Sequence, residues 1–391
     1  MRIAINAINL TSAGTLVTGK ELLRAISALK TRSHRYLVVA PSGFGYEALP
    51  LGENWQWKFF SRWKKENPLW RIWFDFFLFP SLVRDFKADA VMALGNHAPV
   101  RLPIPVLVLL RNSFYVDNDR YSYPSTLKKM KKYLEIKIFS RTVRHADLFV
   151  VQSSYMKTRL AAVWKVSEKR ISVIPNAVAS NIMAAEDISK NEGRPSNMEG
   201  KAGGMPEKLD HKMLWLYVSR YYPHKNHRFI LSLAEHLKRR GIEDLAFIIT
   251  LDPQLPGVQS LMNAIVRQGL SDMVINVGEL STDQLSAWYQ RADGLFFPSY
   301  LESFGNPLLE ALGFGLPICT VDLPYSRVIC EDSAVYYRMD SIEDAARKLL
   351  SLKENPSLLA EVARKGKQHF LSFPHWDEVA KRYLSLLEKR V

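Results

Sequence analysis

This chain has little that could be cross-linked or threaded through a bilayer. Two cysteines, Cys319 and Cys330, stand among 391 residues. They form no C-x-x-C pair, so neither a disulfide framework nor a cysteine metal site is expected, and a reducing compartment is the simplest reading. No run of about 18 apolar residues occurs, which predicts no membrane-spanning helix. The opening MRIAINAINL is too short and too weakly apolar for a secretory leader and alternates like a buried strand; the chain is expected in the cytoplasm. Acids are scarce in the first half. Residues 1–180 hold 28 Lys and Arg against 12 Asp and Glu, whereas residues 181–391 hold 25 against 27. The net charge of +14 thus belongs to the first half, which points there to a polyanionic partner: nucleic acid, anionic lipid or a phosphorylated substrate.

What is present suits a globular α/β protein of roughly two domains: 47% hydrophobic and 24% charged residues, with no internal repeat. Short apolar runs alternate with helical segments. Strands are predicted at 2–6, 36–41, 88–94, 105–110, 148–152 and 172–175, then at 214–219, 246–251, 274–277, 294–298, 317–321 and 334–337. Most are continuous rather than alternating, the mark of strands covered on both faces, hence parallel sheets between helices. Ala184 to Lys212 is polar and nearly free of large apolar residues, and reads as a flexible linker. Trp376, Val379, Ala380, Tyr383, Leu384 and Leu387 recur at helical spacing.

After the first strand, Gly14 and Gly19-Lys20 have the skeleton of a phosphate-cradling P-loop, but Glu21 stands where such a loop needs a Mg²⁺-binding hydroxyl. A P-loop enzyme is therefore not expected. Ala13-Gly14-Thr15 reads as a loop, either a plain turn or one that meets phosphate, with a helix beginning at Gly19-Lys20-Glu21.

The most informative stretch is FFPSYLESFGNPLLEALGFGLPICTVD, residues 296–322. A strand ends near Pro298 and a loop carries Glu302. Asn306 is expected to cap a helix, with Pro307 at its first position, and Gly313 or Gly315 to end it. Glu302 then lies outside the helix and Glu310 one turn inside, both at the carboxyl end of a parallel sheet, where ligands bind in such folds. Gly305 permits close backbone approach. The N–H groups of Gly305, Asn306 and Leu308 are expected to meet a pyrophosphate at the positive end of the helix dipole.

Glu302 and Glu310, separated by seven residues within E-S-F-G-N-P-x-x-E-A-x-x-x-G-x-P, resemble the signature of retaining glycosyltransferases of family four, which have the GT-B fold. LYVSRYYPHKNHRFIL (residues 216–231) is similar to the family's strand-to-helix segment, ISVIPNAV (171–178) to its hinge, and NVGELSTDQLSAWYQRADGLFFPS (276–299) also fits. The resemblance covers residues 171–390 well and the first half loosely. It implies two Rossmann-like, doubly wound parallel-sheet α/β domains facing a central cleft: residues 1–180 acceptor-binding, 181–212 linker, 213–372 nucleotide-sugar-binding, and 373–391 a helix packing back on the first domain. It further implies that Arg220 and Lys225 clamp the donor's phosphates, that Gly278, Glu279 and Leu280 touch the nucleobase, and that Ser303, Phe304 and Gly14 join the donor site. Glu302 would hold sugar hydroxyls and Glu310 the ribose. The donor would be a UDP- or GDP-sugar, moved with retention to a lipid-linked or glycan acceptor of surface polysaccharide or glycolipid synthesis, with no metal or other cofactor required.

One departure concerns the sugar. Family members often carry a His after the fourth N-domain strand, whereas here IPVLVLL is followed by Arg111-Asn112-Ser113. Arg111 or Asn112 is the candidate for that role and His97 for the acceptor side. The departure leaves room for a second class of function, a non-catalytic nucleotide- or lipid-binding scaffold. Asp117-Asn118-Asp119 matches the D-x-D metal motif of another glycosyltransferase fold, but the surrounding pattern does not, and no metal is expected. Residues 54–80 hold five of the nine tryptophans, and residues 120–144 hold eight basic residues and one acid. Asn67-Pro68 is expected to cap a helix with an aromatic face of Trp70, Trp73, Phe74 and Phe77. Together these stretches predict a patch for the anionic inner face of the cytoplasmic membrane. No nucleic-acid-binding motif accompanies the charge, so nucleic acid is not an expected partner.

Overall fold

The computed structural model describes the chain except residues 12, 30–32, 51, 62–69, 71–72, 101, 118–125, 180–208 and 210, and only the backbone of residues 13, 126–129, 131 and 132. Most of the segment read as a linker, the Asn67-Pro68 cap and two residues of the D-x-D tripeptide fall outside the described residues. The chain forms two compact units, Met1–Ala177 with Pro374–Val391, and Val178–Phe373.

The first unit runs β1 (Arg2–Asn6), α1 (Ala13–Ala28), β2 (Arg35–Pro41), β3 (Trp55–Phe60), a π-helical turn (Phe74–Leu78), α2 (Phe79–Asp85), β4 (Ala90–Ala93), β5 (Val106–Leu109), α3 (Thr126–Thr142), β6 (Leu148–Val151), α4 (Ser154–Trp164) and β7 (Ile171–Val173). The second runs β8 (Met213–Tyr217), α5 (His227–Arg239), β9 (Leu245–Ile249), α6 (Pro256–Arg267), β10 (Val274–Asn276), α7 (Thr282–Arg291), β11 (Gly294–Phe297), α8 (Asn306–Phe314), β12 (Ile318–Val321), α9 (Pro324–Cys330), β13 (Val335–Tyr337), α10 (Ile342–Glu354) and α11 (Pro356–Phe370). The final helix, α12 (Trp376–Glu388), belongs to the first unit and packs on α1.

Both sheets are parallel. Their strand orders are β3-β2-β1-β4-β5-β6-β7 and β10-β9-β8-β11-β12-β13. Side chains of a strand alternate between faces, so β1 sends Ile3 and Ile5 to one core and Ala4 to the other. The first core lies under α1 and α12, through Leu22, Leu23, Ile26, Trp376 and Tyr383. The second gathers Phe74, Phe79, Phe139 and Leu160. The chain order reverses between β1 and β4 and between β8 and β11. At such a switch point the loops leaving neighbouring strands diverge and leave room for a ligand.

Three expectations are corrected. Helix α1 begins at Ala13, not Gly19. Gly14 is an exposed residue of its first turn, and Gly19 is small because Leu10 packs there: a Cβ would lie 2.5 Å from Leu10 Cδ1. Glu21 is buried and bonded to Arg24 at 2.5 Å. Second, β3 was not among the expected strands. W-Q-W-K-F-F alternates because it is an edge strand with one face on the core, where Trp55 stacks on Tyr36, ring centroids 4.1 Å apart. Third, Phe74 is fully buried and stacks on Trp70, so the exposed aromatic face is Trp73, Phe76 and Phe77. The π-helical turn there rotates the face relative to an α-helix.

Candidate active site

In the second unit, the loops leaving the two strands at the switch point are tied together by a backbone hydrogen bond, Tyr300 to His224 at 2.8 Å, and by an ion pair. After β8, Pro223–Lys225 forms a 3₁₀ turn closed by Asn226 at φ +56°, a left-handed conformation that Asn tolerates. The buried Tyr217 hydroxyl donates to the Lys225 carbonyl at 2.6 Å and fixes the turn. After β11, the loop turns inward on Phe304, which is 2% exposed and set edge-on to Phe373. The result is a direct ion pair: Lys225 Nζ donates to Glu302 Oε1, with side chains 16% and 12% exposed. The Arg220 guanidinium lies 3.6 Å from Glu279 Oε1, after β10, and this pair is half exposed. Lys225 with Glu302 and Arg220 with Glu279, four of the expected donor contacts, are thus held as two cation–carboxylate pairs.

Helix α8 begins one residue earlier than expected. Gly305 is its cap, at φ +83° and ψ +62°, so Asn306 is helical and Pro307 stands second; Gly315 ends it, also left-handed. A Cβ at Gly305 would lie 3.2 Å from Leu308 Cδ1. The Leu308 amide is spent on the Gly305 carbonyl at 2.9 Å and its side chain is buried. The amides that head this helix are therefore those of Gly305 and Asn306, with Ser303 half-buried beside them. Gly278, at φ +81°, turns the chain after β10 and donates to Asn276 Oδ1; Leu280 is half-buried.

Glu310 is the fifth residue of α8. Its Oε2 accepts from the Tyr289 hydroxyl of α7 at 2.6 Å. Burial pushes its carboxyl up to about 7, with the Tyr289 hydrogen bond pulling the other way. An acid raised on folding keeps its proton between about 4.5 and 7 while the unfolded chain has released it, so its contribution to stability falls as pH rises through that window. Glu310→Gln removes this slope: between pH 5 and 7 the wild type is expected to lose about 2 kcal/mol relative to the variant in urea unfolding. Burial also holds neighbouring His224 and His227 down, to about 4 and 3. They act with the opposite slope in both proteins and cancel in the comparison.

In the first unit, Arg111, Asn112 and His97 follow β5 and β4 at the carboxyl edge. Asn96, at φ +71°, accepts the amides of Arg111 (2.7 Å) and Asn112 (3.0 Å) through its Oδ1. Arg111 Nη1 donates to the Thr15 carbonyl (3.1 Å) and to Thr18 Oγ1 on α1, while Nε is buried without a partner among the described residues. The His97 ring bridges Thr142 Oγ1 (3.3 Å) and the Tyr115 hydroxyl (3.0 Å). Asp117 is bonded to Tyr155 and Arg159, and among the described residues no three His, Cys, Asp or Glu side chains are grouped to hold a metal. Sequence reading missed Asn96, Tyr217 and Tyr289; the Gly-Asn step after β4 was the one available signal.

Two family models fit this chain, "Glycosyl transferases group 1" over residues 206–369 and "Glycosyltransferase Family 4" over residues 21–181. This is a glycosyltransferase. Its relatives include O-antigen chain mannosyltransferase RfbU of Salmonella typhimurium, 24% identical over 69% of each chain. Serotype-specific mannosyltransferase WbdA of Escherichia coli is 26% identical over 69% of this chain but 31% of its own length. Solved structures share the GT-B fold: WaaG, a glycosyltransferase involved in lipopolysaccharide biosynthesis (TM-score 0.71, 13% identity, 98% of this chain and 99% of that one), and Anabaena HepE in complex with UDP-glucose (0.72, 14%, all of both).

Proposed function

We propose that this glycosyltransferase moves a hexose, with retention, from a UDP- or GDP-sugar to a glycan or lipid-linked acceptor of surface polysaccharide synthesis. The observation that carries this reading is the Lys225–Glu302 pair at the switch point, with Arg220 on the same loop after β8. Negative charge develops on the departing diphosphate. Lys225, Arg220 and the amides heading α8 are the groups placed to stabilise it, as preorganised dipoles and charges do in a water-poor site. Glu302 accepts hydrogen bonds from sugar hydroxyls and balances the oxocarbenium-like charge. A carboxylate tied to an ammonium is a poor nucleophile, which favours same-face attack with the leaving phosphate taking the acceptor's proton. Glu310 takes the ribose, and Gly278, Glu279 and Leu280 the base. Of the residues after β5 and β4, Arg111 or Asn112 is assigned to the sugar and His97 to the acceptor. The names of RfbU, WbdA and WaaG support the polysaccharide assignment, and the UDP-glucose complex of HepE supports a nucleotide-sugar donor.

Purified protein incubated with UDP- and GDP-hexoses and lipid-linked glycan acceptors should transfer or slowly hydrolyse one donor. Donor binding without turnover across a broad acceptor panel overturns the reading in favour of a scaffold.

We place the enzyme on the inner face of the cytoplasmic membrane. No described helix is long and apolar enough to cross a bilayer, but Trp73, Phe76 and Phe77, and on α3 Met130, Tyr133 and Leu134, are exposed in the unit that carries the excess of basic residues. Vesicles of phosphatidylglycerol and phosphatidylcholine should bind the protein at low salt and release it as salt rises. Trp73→Ser with Phe77→Ser should weaken binding about tenfold or more, since burying even part of two aromatics contributes over ~1.4 kcal/mol. Equal binding by both proteins would refute the patch.

A further inference from the structure

Among the buried groups the mechanism above leaves unused, Tyr289 is bonded directly to a residue of the proposed site. It lies on α7, whose start is fixed by a reciprocal Ser281–Gln284 capping box. Its side chain is fully buried, and Phe314, at the end of α8, stacks on the ring at 5.1 Å with 9° between planes. The ring is therefore clamped, and its one polar atom has a fixed direction: the hydroxyl donates to Glu310 Oε2 at 2.6 Å. Glu310 itself is only half-buried, and Tyr289 supplies its one side-chain hydrogen bond among the described residues. We propose that Tyr289 is a positioning residue for the nucleotide, holding one oxygen of Glu310 so that the other is presented to the ribose diol. The inference rests on the reading above that Glu310 binds ribose.

The physical case is one of geometry. A carboxylate receives a vicinal diol well only when its plane is fixed, and an unclamped Glu loses rotamer freedom on binding at the expense of affinity. A hydroxyl donor on Oε2 fixes that plane before the ligand arrives. It also favours the ionised form against burial, the direction in which the Tyr289 hydrogen bond acts on Glu310. Phe at position 289 would keep the stack and remove only this bond.

The test is a double-mutant cycle on full-length protein, titrating UDP and GDP by calorimetry into wild type, Tyr289→Phe, Glu310→Gln and the double variant. The nucleotide that binds wild type should bind Tyr289→Phe about tenfold more weakly, the size of a charge-assisted hydrogen bond. In the Glu310→Gln background the same change should have no further effect. Binding of the 2′-deoxynucleotide, which lacks half of the diol, should respond less to Tyr289→Phe. Phe314→Leu, which keeps both polar groups and loosens the ring, is the second variant; it should weaken binding a few-fold, again only while Glu310 is present. Additive losses, or a folded Tyr289→Phe with unchanged affinity, overturn the inference and leave the glycosyl-transfer reading standing. Wild-type protein that binds neither nucleotide overturns both.

Discussion

Glu302→Gln is expected to lower the rate of sugar transfer by roughly a hundredfold or more, the scale of one lost transition-state contact of ~3 kcal/mol, while nucleotide diphosphate binds more tightly. The two effects have opposite signs because Glu302 holds two relationships. In the structure it neutralises Lys225, so a diphosphate arriving at that ammonium must displace a carboxylate already bonded to it. An amide at 302 cannot compete with a phosphate for a cation. Nucleotide affinity should therefore improve by about tenfold, ~1.4 kcal/mol, within the range of one charge-assisted hydrogen bond. The same amide cannot balance positive charge at the anomeric carbon. Steady-state transfer assays and calorimetry with UDP and GDP would check both halves. A variant that loses activity and nucleotide affinity together would place Glu302 in ground-state binding instead.

Lys225→Ala should have the largest effect overall, because it acts on catalysis and on stability. Catalysis loses the ammonium beside the departing phosphate, ~3 kcal/mol in barrier and roughly a hundredfold in kcat/KM. Stability falls because the Glu302 carboxylate, 12% exposed, is left without its counter-charge. Breaking one side of a buried pair costs about 3 kcal/mol. Adding Glu302→Gln to Lys225→Ala removes the stranded charge, so the double variant should regain most of the lost stability in urea unfolding and none of the activity. Full recovery of activity with stability would show that the pair serves the fold alone.

Much of this site could be read from the chain. The spacing of Glu302 and Glu310, the Gly305-Asn306-Pro307 helix start and the Arg220 to Lys225 turn all lie in local sequence, and local sequence governs backbone conformation. The strands buried on both faces were legible as apolar runs for the same reason. The errors arose where local patterns were ambiguous. Residues 55–60 looked like part of an aromatic surface because an edge strand alternates, and an alternating run of Trp and Phe says nothing about which face meets the core. Gly19 resembled part of a phosphate loop, yet its smallness answers to Leu10, a contact that appears only once α1 lies against the β1 loop.

By itself, the sequence determined the α/β class, the two parallel sheets and the placing of the positive charge in the first half. These follow from periodicity, composition and short motifs, which need no knowledge of distant contacts. Tertiary structure alone decided that Lys225 is paired with Glu302 across 77 residues, that Tyr289 holds Glu310, and that Phe74 is core while Phe77 is surface. Each of these depends on which elements become neighbours at a reversal of strand order or on the turn of a helix, and no local pattern specifies that.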